Sequence, residues 1–209
     1  MIELYSAPRT RALRVAWLLE ELAQPYTLHQ VEFKPTSSQF FIQDTPTGKI
    51  PTLVDGDVVM AESGAILQYI LQQYPDNPFQ PQTSDAAYAD FLQWFHFSES
   101  TAFAPMGVVV WLTLYRQDAA AHPELVNDAR QRALASLQPI EQRLQHSDYL
   151  AGSSFSAADI MMGFTLLAAT LLELTQETPA IQDYLSRLTA RPAFARAAEK
   201  VGGYELPAP

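Results

Sequence analysis

Asp55-Gly56 lies between two β-branched or apolar runs, Thr-Leu-Val at 52–54 and Val-Val-Met at 58–60. Asp-Gly in such a setting is the strongest short-range signal for a β-hairpin, because the turn needs residues that tolerate positive φ. Two antiparallel strands are therefore expected here. Immediately before them stands Ile50-Pro51; about 5–6% of X–Pro bonds in folded proteins are cis, and a cis bond at this turn would expose the N–H and C=O of Ile50. Immediately after them, Glu62-Ser63 precedes Ile66, Tyr69 and Ile70 at helical spacing, so Ser63 is expected as an N-cap. The unpaired N–H groups and partial positive charge of a helix N-terminus favour a carboxylate. A proline turn, a hairpin and a helix start thus fall within residues 48–66, an arrangement suited to binding a small molecule.

On the N-terminal side, residues 2–5 read as a short strand. After Ala7-Pro8 a helical stripe of Val15, Leu18, Leu19 and Leu22 appears, with Arg14, Glu20 and Glu21 on the other side. Thr10 sits at the join, where a threonine is a routine N-cap contributing about 1 kcal/mol. Residues 27–31 predict a second strand, and the polar, proline-bearing stretch 34–43 predicts an irregular segment with a short helix. Residues 74–84 hold three prolines and no period, which marks a domain boundary. The βαβ–ββα order before it and the helical patterns after it predict an α/β domain over 1–80 joined to an all-helical domain over 85–209.

The helical part opens with the aromatic-rich region 85–115, which Pro105 must interrupt or kink. Pro123 suits the first position of a helix running toward His146, with a kink at Pro139; Pro179 and Pro192 suit two further helix starts, and Gly202-Gly203 ends the last. Ser156 with Asp159 three residues on is a capping-box pattern, so Asp159 is read as structural. The uncharged apolar run 160–172 has 13 residues, short of the about 20 that span a bilayer, and is read as a buried helix.

Composition narrows the chemistry. The net charge of −10 is shared, with five basic and nine acidic side chains in residues 1–80 and eight and fourteen in 81–209. Such a field repels phosphate backbones and anionic membranes, so neither nucleic acid nor membrane is expected as a partner. With no cysteine there is no disulfide, thiolate metal site or cysteine nucleophile, and any sulfur chemistry must come from a ligand. The four histidines are far apart in sequence and form no ligand pair, so no metal is expected. The start lacks the basic and apolar regions of a secretory signal, and a cytoplasmic location is expected. No phosphate-binding loop, nucleophile elbow or internal repeat is found.

Three stretches resemble one family, the cytosolic glutathione S-transferases, in their bacterial and fungal subgroup. These are Tyr-Ser-Ala-Pro-Arg-Thr-Arg-Ala-Leu-Arg-Val-Ala-Trp-Leu-Leu-Glu-Glu-Leu at 5–22, Lys-Ile-Pro-Thr-Leu through Glu-Ser-Gly-Ala-Ile at 49–66, and Ser-Ala-Ala-Asp-Ile at 156–160. The resemblance implies a thioredoxin-like domain followed by a helical bundle. It implies that Ile50, before a cis Pro51, pairs with the cysteinyl backbone of glutathione, that Glu62 and Ser63 hold its γ-glutamyl end, and that Lys49 or Lys34 meets its glycyl carboxylate. Thr10 stands where many members have a serine and others a cysteine, and is the candidate thiol-activating hydroxyl; Ser6 and Tyr5 are the alternatives. Thr45 stands where asparagine is usual. Phe103, Met106, Val110 and Tyr115 are candidates for an apolar co-substrate pocket, although aromatics at helical spacing are more often core. A homodimer is implied, with Glu99 reaching toward the partner.

The implied reaction is detoxifying conjugation of glutathione, as co-substrate, to a hydrophobic electrophile. A free thiol has a pKa of about 8.5. One hydroxyl donor to the thiolate, at about 1.5–3 kcal/mol, lowers that pKa by roughly one to two, and a helix N-terminus adds to the effect. Glutathione-dependent peroxidase, dehalogenase or isomerase chemistry on the same fold is the enzymatic alternative. A non-catalytic glutathione-binding or interaction module is the alternative from another class.

Overall fold

The computed structural model describes residues 1–32 and 45–203. They form two compact units, residues 1–78 with 189–203 and residues 79–188. Lys34, the expected short helix within 34–43 and the tail 204–209 lie outside the described residues.

The first unit is built on a four-stranded mixed sheet in the order β2-β1-β3-β4. Strand β1 (Ile2–Ser6) runs parallel to β2 (Tyr26–Gln30) and antiparallel to β3 (Thr52–Asp55), which pairs antiparallel with β4 (Val58–Ala61). Along β1 the side chains of Ile2, Leu4 and Ser6 are buried, while Glu3 and Tyr5 on the opposite face are half-buried. Leu4 pairs with Leu28 on one side and Leu53 on the other, which sets the register of β2, β1 and β3.

The hairpin forms one residue later than the sequence suggests. Asp55 pairs with Val58, so the two central residues are Gly56 and Asp57. Gly56 adopts φ +60°, the first central position at which a two-residue hairpin of the II′ kind requires glycine. The Tyr69 hydroxyl donates to Asp55 Oδ2 at 3.1 Å and ties this turn to α2 (Ser63–Gln73).

Helix α1 (Ala12–Glu21) is buried continuously from residue 12 to 19, not along one stripe. Arg14, expected on its polar side, is fully buried. The reason is that β1, α2 and α8 (Pro192–Lys200) all pack against α1, leaving it little free surface. Trp17 meets Phe194 edge-on with ring centroids 5.0 Å apart. Arg191 grips Glu21 through Nε and Nη2 at 2.5 and 2.8 Å, while Arg196 and Lys200 reach Glu20 at 2.8 and 2.6 Å. Helix α8 thus belongs to the compact unit of the sheet, although the sequence division assigns it to the helical domain. After α8, Gly202 at φ +98° runs so close to Pro8 that a Cβ would lie 2.8 Å from its Cγ.

The second unit is helical. Helix α3 (Tyr88–Phe97) passes through a π-helical turn (Ser98–Phe103) into α4 (Ala104–Val110) and a second π-helical turn (Trp111–Tyr115). Pro105 lies just after the π-helical turn, at the start of α4, and the helical path continues through it instead of breaking. The whole Tyr88–Tyr115 path has 28 residues and is, by length and composition, apolar enough to cross a membrane, unlike the 160–172 run. Its Phe91, Trp94, Phe95, Met106 and Val109 are buried in the protein.

Helices α5 (Pro123–Leu144), α6 (Ala157–Leu171) and α7 (Pro179–Thr189) complete this unit, and Pro139 is accommodated inside α5. The expected capping box forms at Ser156. Its Asp159 also accepts from the Leu150 N–H at 2.9 Å and the Tyr184 hydroxyl at 2.7 Å. Burial pushes the Asp159 carboxyl upward from its ordinary pKa, against the opposing pull of these donors.

Candidate functional site

The sequence segment 45–66 folds as three braced pieces. In the first, Gly48 at φ +70° donates its N–H to Thr45 O at 3.2 Å. Thr52 donates to Lys49 O at 2.7 Å, its hydroxyl meets that of Thr47, and Thr47 accepts from Lys49 N–H at 3.2 Å. This mesh fixes the turn around the Ile50–Pro51 bond, which is cis. Pro51 is buried and Ile50 half-buried, and among the described residues no hydrogen bond takes up the N–H or C=O of Ile50. Lys49 is exposed.

The hairpin is the second piece, and it delivers the chain to the start of α2. Here Glu62, exposed, takes φ +70° and ψ +103°, outside the regions open to most residues with a side chain. Ile66 N–H closes the first turn on Glu62 O at 2.9 Å, so the three N–H groups before it point out of the helix end. Ser63 is not the N-cap that the stripe predicts; it is the first residue of the helix, and Glu62 occupies the cap position. Its hydroxyl is instead engaged from beneath. Arg14, fully buried on α1, donates from Nη1 to Ser63 Oγ at 3.1 Å. The sequence holds one signal for this contact, an arginine with apolar neighbours on both sides in Ala-Leu-Arg-Val-Ala, which helical periodicity alone assigns to solvent.

The three candidate hydroxyls lie in different settings. Thr10 is half-buried in the loop between β1 and α1; its Oγ1 donates to Ala7 O at 2.7 Å and accepts a long contact from Ala12 N–H at 3.4 Å. The second contact, together with Leu13 N–H on Thr10 O at 3.2 Å, makes Thr10 part of the helix entry. Ser6 is fully buried, and its hydroxyl has no partner among the described residues. Tyr5 faces the other side of the sheet, stacked on His29 with centroids 4.7 Å apart, while His29 meets Glu3 at 2.7 Å. Arg9, exposed beside Thr10, adopts φ +60°.

The four pocket candidates divide by exposure. Phe103 and Met106 are buried, Phe103 stacking on Phe164 with centroids 5.9 Å apart. Val110 and Tyr115 are half-buried, Tyr115 lying against Trp111. Glu99 is half-buried on the first π-helical turn.

Two family models match the chain, the glutathione S-transferase N-terminal domain over residues 4–78 and the glutathione S-transferase C-terminal domain over 103–192. Among curated proteins it resembles glutathione S-transferase 3 of Schizosaccharomyces pombe, with 29% identity covering 96% of this chain and 88% of that one. A glutathione S-transferase of Hyoscyamus muticus is 30% identical over 76% of this chain and 78% of its own length. Among solved structures, a glutathione S-transferase from Xylella fastidiosa superposes with a TM-score of 0.83 at 25% identity, covering 97% of this chain and all of that one, 100%.

Proposed function

Because this chain belongs to the glutathione S-transferase family, we propose that it binds glutathione, activates its thiol as thiolate and conjugates it to a hydrophobic electrophile. The observation that carries this reading is the start of α2. An exposed carboxylate at Glu62 stands beside first-turn N–H groups with no helical acceptor. That pairing suits an ammonium and a carboxylate on one carbon, the two ends of a γ-glutamyl group. Ile50 supplies the N–H and C=O that receive the cysteinyl backbone, and Lys49 the cation for the glycyl carboxylate. Thr10 is the hydroxyl assigned to the sulfur, and Val110 and Tyr115, the more exposed of the four apolar candidates, are assigned to the electrophile.

A specific observation favours a second reading, a glutathione-binding module without thiolate activation. Thr10 has one hydroxyl proton, and it is directed at Ala7 O. Activation requires that proton to turn from Ala7 to the sulfur. Ultraviolet difference spectroscopy of glutathione on the purified protein, taken across a pH series, separates the two. A thiolate band below neutral pH, together with turnover of a chlorinated nitroarene, supports the transferase. Binding without the band supports the module, and no binding removes both.

A further inference from the structure

We infer that Arg14 is the positioning residue for the γ-glutamyl carboxylate, acting from inside the protein through Ser63. The inference rests on the glutathione reading above. Ser63 Oγ accepts the Arg14 guanidinium proton at 3.1 Å, and both side chains are buried, Arg14 fully and Ser63 to 4% exposure. A hydroxyl has one proton and two lone pairs. With a lone pair held by Arg14, the Ser63 proton is turned away from the guanidinium, and among the described residues it has no acceptor. An acceptor that arrives at the α2 start therefore meets a hydroxyl already oriented to donate.

The charge matters as much as the direction. An arginine remains cationic in any protein setting, and removing it from water is costly unless hydrogen bonds and neighbouring charges compensate. This cation lies one hydroxyl away from a helix N-terminus whose free N–H groups already favour a negative ligand. Its field, acting through a dry interior, reinforces the same carboxylate that the N–H groups receive. An arginine holding only the packing of α1 would have no reason to distinguish a ligand carrying that carboxylate from one lacking it.

That difference is the test. Calorimetry on the full chain compares glutathione with 4-aminobutyryl-cysteinylglycine, which lacks the γ-glutamyl α-carboxylate and keeps the rest. The unaltered protein is expected to prefer glutathione, and Arg14→Gln to weaken glutathione by about tenfold or more while leaving the analogue nearly unchanged. Arg14→Lys retains the charge without the planar fork and falls between. Ser63→Ala removes the part of the preference carried by the oriented hydroxyl, and adding Arg14→Gln to it removes the part carried by the field. The same Arg14 variants raise KM for glutathione more than they lower kcat. An equal loss for both ligands, or a preference untouched by either Arg14 variant, overturns the inference and leaves the glutathione reading standing. If Arg14→Gln does not fold, Arg14→Lys and the Ser63 comparison decide by the same ratio. No glutathione binding by the unaltered chain overturns the underlying reading, and this one with it.

Discussion

Thr10 and Ala7 are joined by a 2.7 Å hydrogen bond in which the threonine hydroxyl is the donor. The candidate activating group is thus also a brace of its own loop, and its two tasks compete for one proton. Thr10→Ala is expected to raise the pKa of bound glutathione thiol by about one to two and to slow conjugation at neutral pH by about 10- to 100-fold. It also costs about 1 kcal/mol through the lost bracing. Thr10→Ser keeps both functions. Spectrophotometric titration of the bound thiol measures the first effect. An unmoved thiol pKa in Thr10→Ala would transfer the role to another group, and Ser6, a buried hydroxyl with no partner among the described residues, stands next.

Asp159 is held by four donors, the N–H of Leu150, the N–H and hydroxyl of Ser156, and the Tyr184 hydroxyl. Asp159→Ala leaves these groups without their acceptor in a fully buried site, and the expected loss is about 3–6 kcal/mol. Tyr184→Phe removes a single donor and is expected to cost about 1–2 kcal/mol. Urea unfolding followed by far-ultraviolet dichroism gives both values. An Asp159→Ala protein as stable as the unaltered one would contradict the structural role.

Glu20 gives the α1–α8 contact a pH dependence. Burial pushes its carboxyl upward, but the bonds from Lys200 and Arg196 outweigh this and hold it below its ordinary value of 4.5. A lowered folded-state pKa means that the unfolded chain binds the proton more readily, so the stabilisation is present above the unfolded value and disappears as pH falls through the folded one. Both cationic partners are half exposed, at 51%, so Glu20→Gln is expected to cost only about 1 kcal/mol or less at neutral pH. That gap should narrow as melting is repeated at successively lower pH below the ordinary value of 4.5. A gap that does not narrow as pH falls would mean that shape, not charge, holds the contact.

The elements legible in the sequence are those written by local rules. Asp55-Gly56 marked the hairpin, Ser156 with Asp159 the capping box, and Pro123, Pro179 and Pro192 their helix starts. Each depends on neighbours within about four residues, where backbone chemistry decides. The misreadings share the opposite property. Arg14 belongs on a polar face by periodicity, yet it is buried because β1, α2 and α8 pack against α1, and it donates to Ser63, 49 residues away. Glu141 on α5 reaches 40 residues along the chain to accept the N–H groups of Ala180 and Ile181 at 3.0 Å, capping α7 in a way no local pattern encodes. The ties of α8 and of Arg191 just before it to Glu20 and Glu21 on α1 span about 170 residues or more and are equally beyond any local pattern.

Glu62 allows backbone strain and ligand charge to be measured apart. At φ +70° and ψ +103° a residue with a Cβ carries a cost of about 1–3 kcal/mol, and glycine carries almost none. Glycine also loosens the unfolded chain, which returns part of that gain. Glu62→Gly is therefore expected to stabilise the protein by about 1 kcal/mol while weakening glutathione by about tenfold or more through loss of the carboxylate. Glu62→Gln keeps the Cβ and removes only the charge, so it should lose similar affinity with no gain in stability. Urea unfolding and calorimetry on the two variants supply all four numbers. If Glu62→Gly were less stable than the unaltered chain, the conformation would be a favourable one, and the case for strain maintained at a binding site would fall. If the affinity loss appeared only in Glu62→Gly and not in Glu62→Gln, the backbone angle rather than the carboxylate would be what glutathione needs from this position.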